Sequence, residues 1–261
     1  MKKQPMPLGE EVDFLEETLP FISAKREKRF FSNSVHLLGY AYDGTTSFRP
    51  GSRFAPNAIR DVSTNLETYS PYLHDDLTDR HFIDLGNLPF YPHRYDLMVE
   101  AFDKLLGANQ NLPQNQARLV VLGGEHSISY APIKYHLEHF PDLCLLHLDA
   151  HADLRDGYLG ASFSHASIIR RVLDHFQKDH TLIQYGIRSG TREEFDWMKE
   201  QKTLKTSFQD LITTLEQIPS QRPIYLTLDL DFFDPAYFPG TGTPEAGGED
   251  FHHFMKILKI L

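Results

Sequence analysis

Acid, imidazole and acid alternate at Asp149, His151 and Asp153, directly behind the apolar run Leu143, Cys144, Leu145, Leu146 and Leu148. The run reads as a buried strand. Side chains at i, i+2 and i+4 of an extended chain point the same way, so the three groups are expected to converge just beyond it. Such groups are costly at the end of an apolar strand unless something cationic offsets them, and a divalent metal is the simplest candidate. Two further strand ends carry the same chemistry. His126 follows Gly123-Gly124 behind the apolar run 119–122, and Asp229 and Asp231 lie two apart at the end of the run 224–230. The set is four carboxylates and two imidazoles. That exceeds a structural zinc site, which takes four ligands and often sulfur, but suits two divalent ions bridged by carboxylates. Oxygen donors with some imidazole favour a hard ion, so manganese is expected. Two such ions sit ~3.5–4 Å apart, can hold a hydroxide between them, and ionise bound water near pH ~7 instead of ~15.7. Hydrolysis then needs no serine or cysteine nucleophile. Any one of these residues could be a solvated loop acid or a helix cap; three strand-end motifs together are not explained that way. A phosphate cradle at Gly123-Gly124 is disfavoured, because no Gly-Lys-Ser/Thr follows.

The elements that must position these groups follow from periodicity. Apolar runs predict strands over 35–40, 81–85, 119–122, 143–148, 181–187 and 224–230, with a weaker one at 206–208. Helical spacing predicts helices over 10–19, 55–66, 95–106, 130–140, 167–176 and 192–200, and another beginning at Phe251. Short apolar strands alternating with helices imply an α/β fold, a mainly parallel sheet with helices on both faces. Ligands of such sheets bind beyond the carboxyl ends of the strands, where all six candidates fall. With no repeat or linker, one domain is expected over 35–261, with 1–34 as its N-terminal extension.

Composition narrows the function further. A hydrophobic fraction of 41% with 24% charged residues is that of an ordinary soluble chain. The net charge of −10 argues against nucleic-acid binding and suits a small cationic substrate. Cys144 is the one cysteine, which excludes a disulfide framework within the chain and favours the cytosol. Lys2 and Lys3 precede no apolar leader, and no run reaches the ~18 apolar residues of a membrane span. Cys144 is expected in the core, His36 and His81 in ordinary polar contacts, and His252 and His253 in solvent. Trp197 is expected to anchor a helix, and Arg49, Arg53 and Arg60 to pair with acids of neighbouring subunits or face solvent.

Taken together, the motifs resemble those of the ureohydrolase (arginase–agmatinase) family. They are Gly123-Gly124-Glu125-His126-Ser127, Asp149-Ala150-His151-Ala152-Asp153-Leu154-Arg155-Asp156, Ser164-His165, Leu228-Asp229-Leu230-Asp231-Phe232-Phe233-Asp234-Pro235, and the stretch from Pro239 to Gly248. The segment from Ser47 to Pro56 and the loop Asp153–Gly160 resemble agmatinase members in particular. The resemblance implies an arginase-like three-layer α/β/α domain and two Mn²⁺ per subunit. One ion would be held by His126, Asp149, Asp153 and Asp229, and the other by Asp149, His151, Asp229 and Asp231. It further implies that His165 shuttles protons and that Asp153 orients the nucleophile. The implied reaction is hydrolysis of a guanidino group, with agmatine and water giving putrescine and urea as in polyamine biosynthesis. A cytoplasmic homo-oligomer, trimer or hexamer, is also implied.

Family members continue past the helix at Phe251 into a strand bearing a guanidinium-binding glutamate. The chain as given ends at Leu261, so a C-terminally shortened domain lacking its last strand is expected. Two alternatives accompany the hydrolase reading: a metal-binding pseudoenzyme or regulatory subunit without the guanidinium glutamate, and a sibling guanidino-acid hydrolase such as a guanidinobutyrase. A zinc deacetylase would need only one metal.

Overall fold

The structure, a computed structural model, describes residues 4–107 and 112–261. Lys2 and Lys3, expected to begin no leader, lie outside the described residues. The chain divides into two compact units, residues 1–44 with 50–128 and residues 45–49 with 129–261.

In the first unit, strands β1 (Val35–Tyr40), β2 (Phe82–Asn87) and β3 (Arg118–Gly123) form a parallel sheet with β1 in the middle. The two-residue strand Lys25–Arg26 extends it beside β2. Helices α1 (Ala55–Ser63) and α2 (Tyr95–Gly107) belong to this unit. Met98, Phe102, Leu105 and Leu106 of α2 are buried, as the predicted stripe requires. Residues 10–19 are not helical; turns and a bridge between Glu16 and Asn87 replace the expected helix. The segment gains its backbone partners from β2, with Glu16 N–H donating to Asn87 O at 2.8 Å and Asn87 N–H to Glu16 O at 3.0 Å. Arg60 also departs from expectation. It is fully buried, and its guanidinium forks onto Asp84 at 2.7 and 2.8 Å while donating to Asn87 Oδ1 at 2.7 Å. A lone buried guanidinium would be prohibitive, but this one is paired and its donors are used.

In the second unit, β4 (Cys144–Leu148), β5 (Thr181–Tyr185), β6 (Leu204–Lys205) and β7 (Ile224–Leu228) form a parallel sheet in the order β6-β5-β4-β7. Every residue of β4 is buried, as a central parallel strand covered on both faces must be. Its alternation divides the core. Leu145 packs with residues of α3 (Tyr130–His139), α4 (Ile168–Leu173) and α5 (Arg192–Gln201). Cys144, Leu146 and Leu148 pack with residues of α6 (Phe208–Glu216) and α7 (Phe251–Ile260). Mainly parallel sheets with helices on both faces are thus realised here. The helix α6 departs from the expected weak strand at 206–208. Ser207 caps it by accepting from Asp210 N–H at 3.2 Å, and Leu211 and Leu215 are its buried face. Among the described residues, no helix is long and apolar enough to cross a membrane.

His36 is more than an ordinary polar contact. Fully buried in β1, it accepts the Phe31 N–H on Nε2 at 2.9 Å and lies 3.2 Å from the Arg118 carbonyl through Nδ1. Burial, opposed by that carbonyl and reinforced by His81, pushes its pKa down to about 4 from 6.5. The unfolded chain therefore takes up this proton first. Stability carried by neutral His36 is intact above about 6.5 and is lost as pH falls towards 4. Between pH 7 and 4.5 the expected loss is about 2–3 kcal/mol. Urea unfolding of the wild type and of His36→Gln at both pH values should show a smaller pH-dependent loss in the variant; equal losses would contradict this account.

Candidate metal centre

The second unit brings four of the six expected ligands together and sets beside them an imidazole, His147, that sequence reasoning missed. Just beyond β4, Asp149, His151 and Asp231 place one ligand atom each within 4.8 Å of one another. His151 Nδ1 is 3.1 Å from Asp231 Oδ2 and 3.6 Å from Asp149 Oδ1. A second gathering at the same spacing joins Asp149 and Asp153 with His147, which had not been expected. His147 obeys the same two-residue alternation, one step back into the strand, and that signal could have found it.

Convergence is not achieved by a continued extended run. Asp149 N–H donates to Tyr185 O at 3.2 Å, and its Oδ1 accepts the His151 N–H at 2.6 Å. Two residues on, His151 forms a bridge to Ser189. Asp153 then takes a left-handed backbone, φ 54°. An aspartate tolerates that conformation at a modest cost, and such outliers gather at functional sites. The turn is held from behind: Arg170 N–H donates to Asp153 O at 3.1 Å, and Leu154 N–H to the buried Glu194 at 2.9 Å. Glu194 is also the reciprocal partner in the capping box of α5. A helix start thus anchors the loop bearing Asp153.

Asp229 and Asp231 leave β7 together. The ladder pairs Leu228 with Leu148, so Asp229 emerges beside Asp149. Asp229 belongs to neither gathering; its Oδ1 accepts the Asp231 N–H at 3.1 Å and caps a short 3-10 turn. Asp231 Oδ1 accepts from Ala150 N–H at 3.1 Å, and Thr243 Oγ1 donates to Oδ2 at 3.2 Å. The Arg188 guanidinium donates to the carbonyls of Asp231 at 2.6 Å, Glu245 at 2.7 Å and Ala246 at 3.1 Å. It thereby ties the loop of the Pro-Gly-Thr-Gly-Thr-Pro-Glu motif to the turn carrying Asp231. Glu245 Oε1 reaches 3.7 Å from His151 Nε2, on the far side of that ring.

His126 lies in the first unit. It is buried and opens a 3-10 turn directly behind β3. The backbone ahead of it passes close to a neighbouring segment. A Cβ on Gly124 would stand 2.0 Å from Tyr42 O, so only glycine lets Glu125 N–H donate to that carbonyl at 2.8 Å. His165 belongs to the second unit and is partly exposed. Its Nδ1 lies 3.2 Å from Thr45 Oγ1 and its Nε2 3.2 Å from Ser47 Oγ. Both hydroxyls come from the Thr45–Arg49 segment of the same unit.

The donor set fits a divalent cation. Asp149 and Asp231 are nearly fully buried, and burial together with the Asp149 charge raises the Asp231 pKa to about 6. Burial alone would lower the His151 pKa, but Asp149 and Asp231 outweigh it and push it up to about 11. Both shifts report excess negative charge that a hard cation would offset. Ligand identity, carboxylate with imidazole and no sulfur, favours such an ion.

The chain can be compared with known proteins. The arginase family model matches residues 33–261. The chain is 43% identical over 218 residues to the agmatinase of Bacillus subtilis, covering 81% of this chain and 72% of that one. Among solved structures it resembles the agmatine ureohydrolase of Thermoplasma volcanium, with a TM-score of 0.76, 28% identity, and coverage of 88% and 78%. It also resembles proclavaminate amidino hydrolase from Streptomyces clavuligerus, with a TM-score of 0.81, 25% identity, and coverage of 95% and 86%.

Cation binding to the folded chain alone must stabilise it. Mn²⁺ at about 100 times its Kd should raise the unfolding free energy by ~2.7 kcal/mol. Denaturant unfolding with and without Mn²⁺ should show this increment in the wild type, its reversal by a chelator, and its loss in Asp231→Ala. A wild-type curve unmoved by saturating Mn²⁺, Zn²⁺ or Co²⁺ would refute the metal assignment.

Proposed function

The chain belongs to the arginase family, and we propose that it hydrolyses agmatine to putrescine and urea with two Mn²⁺ ions. That it is a ureohydrolase, an enzyme cleaving a guanidino C–N bond, follows from its agmatinase and arginase-family relatives. The Asp149–His151–Asp231 gathering, with both carboxylates buried, is the single observation that carries the metal-dependent reading. The loop Asp153–Gly160 and the agmatinase relatives support agmatine as the substrate.

The proposed ligands are His126, Asp149, Asp153 and Asp229 for one ion, and Asp149, His151, Asp229 and Asp231 for the other. His126 is included on its motif, and Asp229 on its motif and its place beside Asp149. When bound, such a pair makes water nucleophilic at neutral pH and stabilises charge developing on the guanidinium carbon's substituents. The chain's own groups do the rest. Asp153 accepts a hydrogen bond from the attacking water and orients it toward the guanidinium carbon. His165 delivers a proton to the departing amine nitrogen, and the hydroxyls of Thr45 and Ser47 hold its ring in place. The C–N bond to the alkyl chain breaks, releasing urea and the diamine. An acidic chain of net charge −10 draws in a cationic substrate.

Urea release from Mn²⁺-loaded protein should be greatest with agmatine and small with arginine or guanidinobutyrate. Asp149→Asn should lower it by more than about 100-fold, beyond the loss expected for an outer-shell partner. His165→Gln should lower kcat while leaving Mn²⁺ affinity unchanged. Metal binding without urea from any of the three substrates would instead identify a non-catalytic relative, and faster arginine turnover would overturn the substrate assignment.

A further inference from the structure

The metal reading of Asp149 leaves open what fixes that carboxylate, and the buried core behind it holds an answer. On the β4–β5 ladder, His147 stands opposite Gln184, and both are fully buried. His147 Nε2 is 2.9 Å from Asp149 Oδ2, and its Nδ1 is 3.2 Å from Gln184 Nε2. Gln184 Nε2 also donates to Ala152 O at 3.3 Å, while Thr203 Oγ1 donates to Gln184 Oε1 at 2.8 Å. Thr203 is itself buried.

These contacts fix the direction of every proton. A backbone carbonyl only accepts, so the amide end facing Ala152 O must be the nitrogen. Oε1 then faces the Thr203 hydroxyl, which donates to it. An amide nitrogen only donates, so His147 Nδ1 must carry the lone pair and Nε2 the hydrogen. That hydrogen points at Asp149 Oδ2.

We propose that Thr203, Gln184 and His147 form a positioning relay for Asp149, and that His147 is not itself a metal ligand. Resting on the metal reading of Asp149, the proposal explains why a third imidazole lies at ligand spacing. Its two nitrogens serve hydrogen bonds, one on the amide and one on the carboxylate. The relay holds the Asp149 plane, offsets part of its buried charge, and leaves lone pairs on both carboxylate oxygens for cations. Outer-shell partners of this kind typically change metal affinity by about 10–100-fold when removed. Loss of Thr203 would act through two bonds, by freeing the Gln184 amide to turn its oxygen toward His147.

Two measurements test the relay. Imidazole ¹⁵N NMR of metal-free, histidine-labelled protein, with His147→Asn supplying the assignment, should show His147 as the Nε2–H tautomer; an Nδ1–H tautomer would overturn the proposal. Calorimetric titration with Mn²⁺ should show Kd raised about 10–100-fold in Gln184→Leu. It should also be raised in Thr203→Val and restored in Thr203→Ser, with unchanged circular dichroism in each. Wild-type affinity in both Gln184→Leu and Thr203→Val would equally overturn it. Should Gln184→Leu fail to fold, the Thr203→Val and Thr203→Ser pair decides. A wild-type chain that takes up no metal would defeat the metal reading alone, because the tautomer measurement needs no metal.

Discussion

Like charge forced together out of water is the constraint on which the second unit depends. Asp149 and Asp231 leave neighbouring parallel strands within 3.6 Å of one imidazole, His151, and both are nearly fully buried. Desolvation and mutual repulsion push against this arrangement. Part of the cost is met by backbone donors: Ala150 N–H on Asp231 and His151 N–H on Asp149. The remainder shows in the raised pKa values of Asp231 and His151, the mark of excess negative charge around them. A divalent cation would offset that charge, which links the architecture to the proposed chemistry.

The scaffold answers with rigidity. β4 is the strand of its sheet that is buried throughout, so Asp149 emerges from the most completely covered part of it. The Arg188 guanidinium gathers carbonyls from the Asp231 turn and from the Glu245 loop. It thereby fixes two segments separated by more than a helical turn of sequence, without placing its charge on either carboxylate. Glu194 performs the matching service for Asp153, through the backbone of Leu154. In each case a charged side chain acts on main-chain groups.

The sequence carried much of this. Asp-x-His-x-Asp, Asp-x-Asp and Gly-Gly-x-His pointed to strand ends because apolar runs and turn formers are local signals, and the parallel order of helices and strands followed from their alternation. What was not legible depends on distant partners. The 10–19 segment has helical spacing but takes its hydrogen bonds from β2 instead. Ser207 was a visible cap, yet the short 204–205 strand before it blurred the boundary of α6. Arg60 looked like a surface cation because its partners, Asp84 and Asn87, lie more than twenty residues away. His147 sits inside an otherwise apolar strand, so only its parity with Asp149 marks it in the sequence.

That parity separates the roles of the histidines. An imidazole inside a fully covered strand cannot reach solvent, substrate or an exchanging water, so its value lies in holding a neighbour. An imidazole one step beyond the strand, as at His151, has one nitrogen turned to the acids and the other toward Glu245. One opening a short 3-10 turn, as at His165, remains partly exposed and faces hydroxyls that can rotate. Moving outward along this unit, the same side chain passes, in the proposed mechanism, from positioning to ligation to proton transfer. Burial sets the order, because each task requires more access to water and substrate than the one before it.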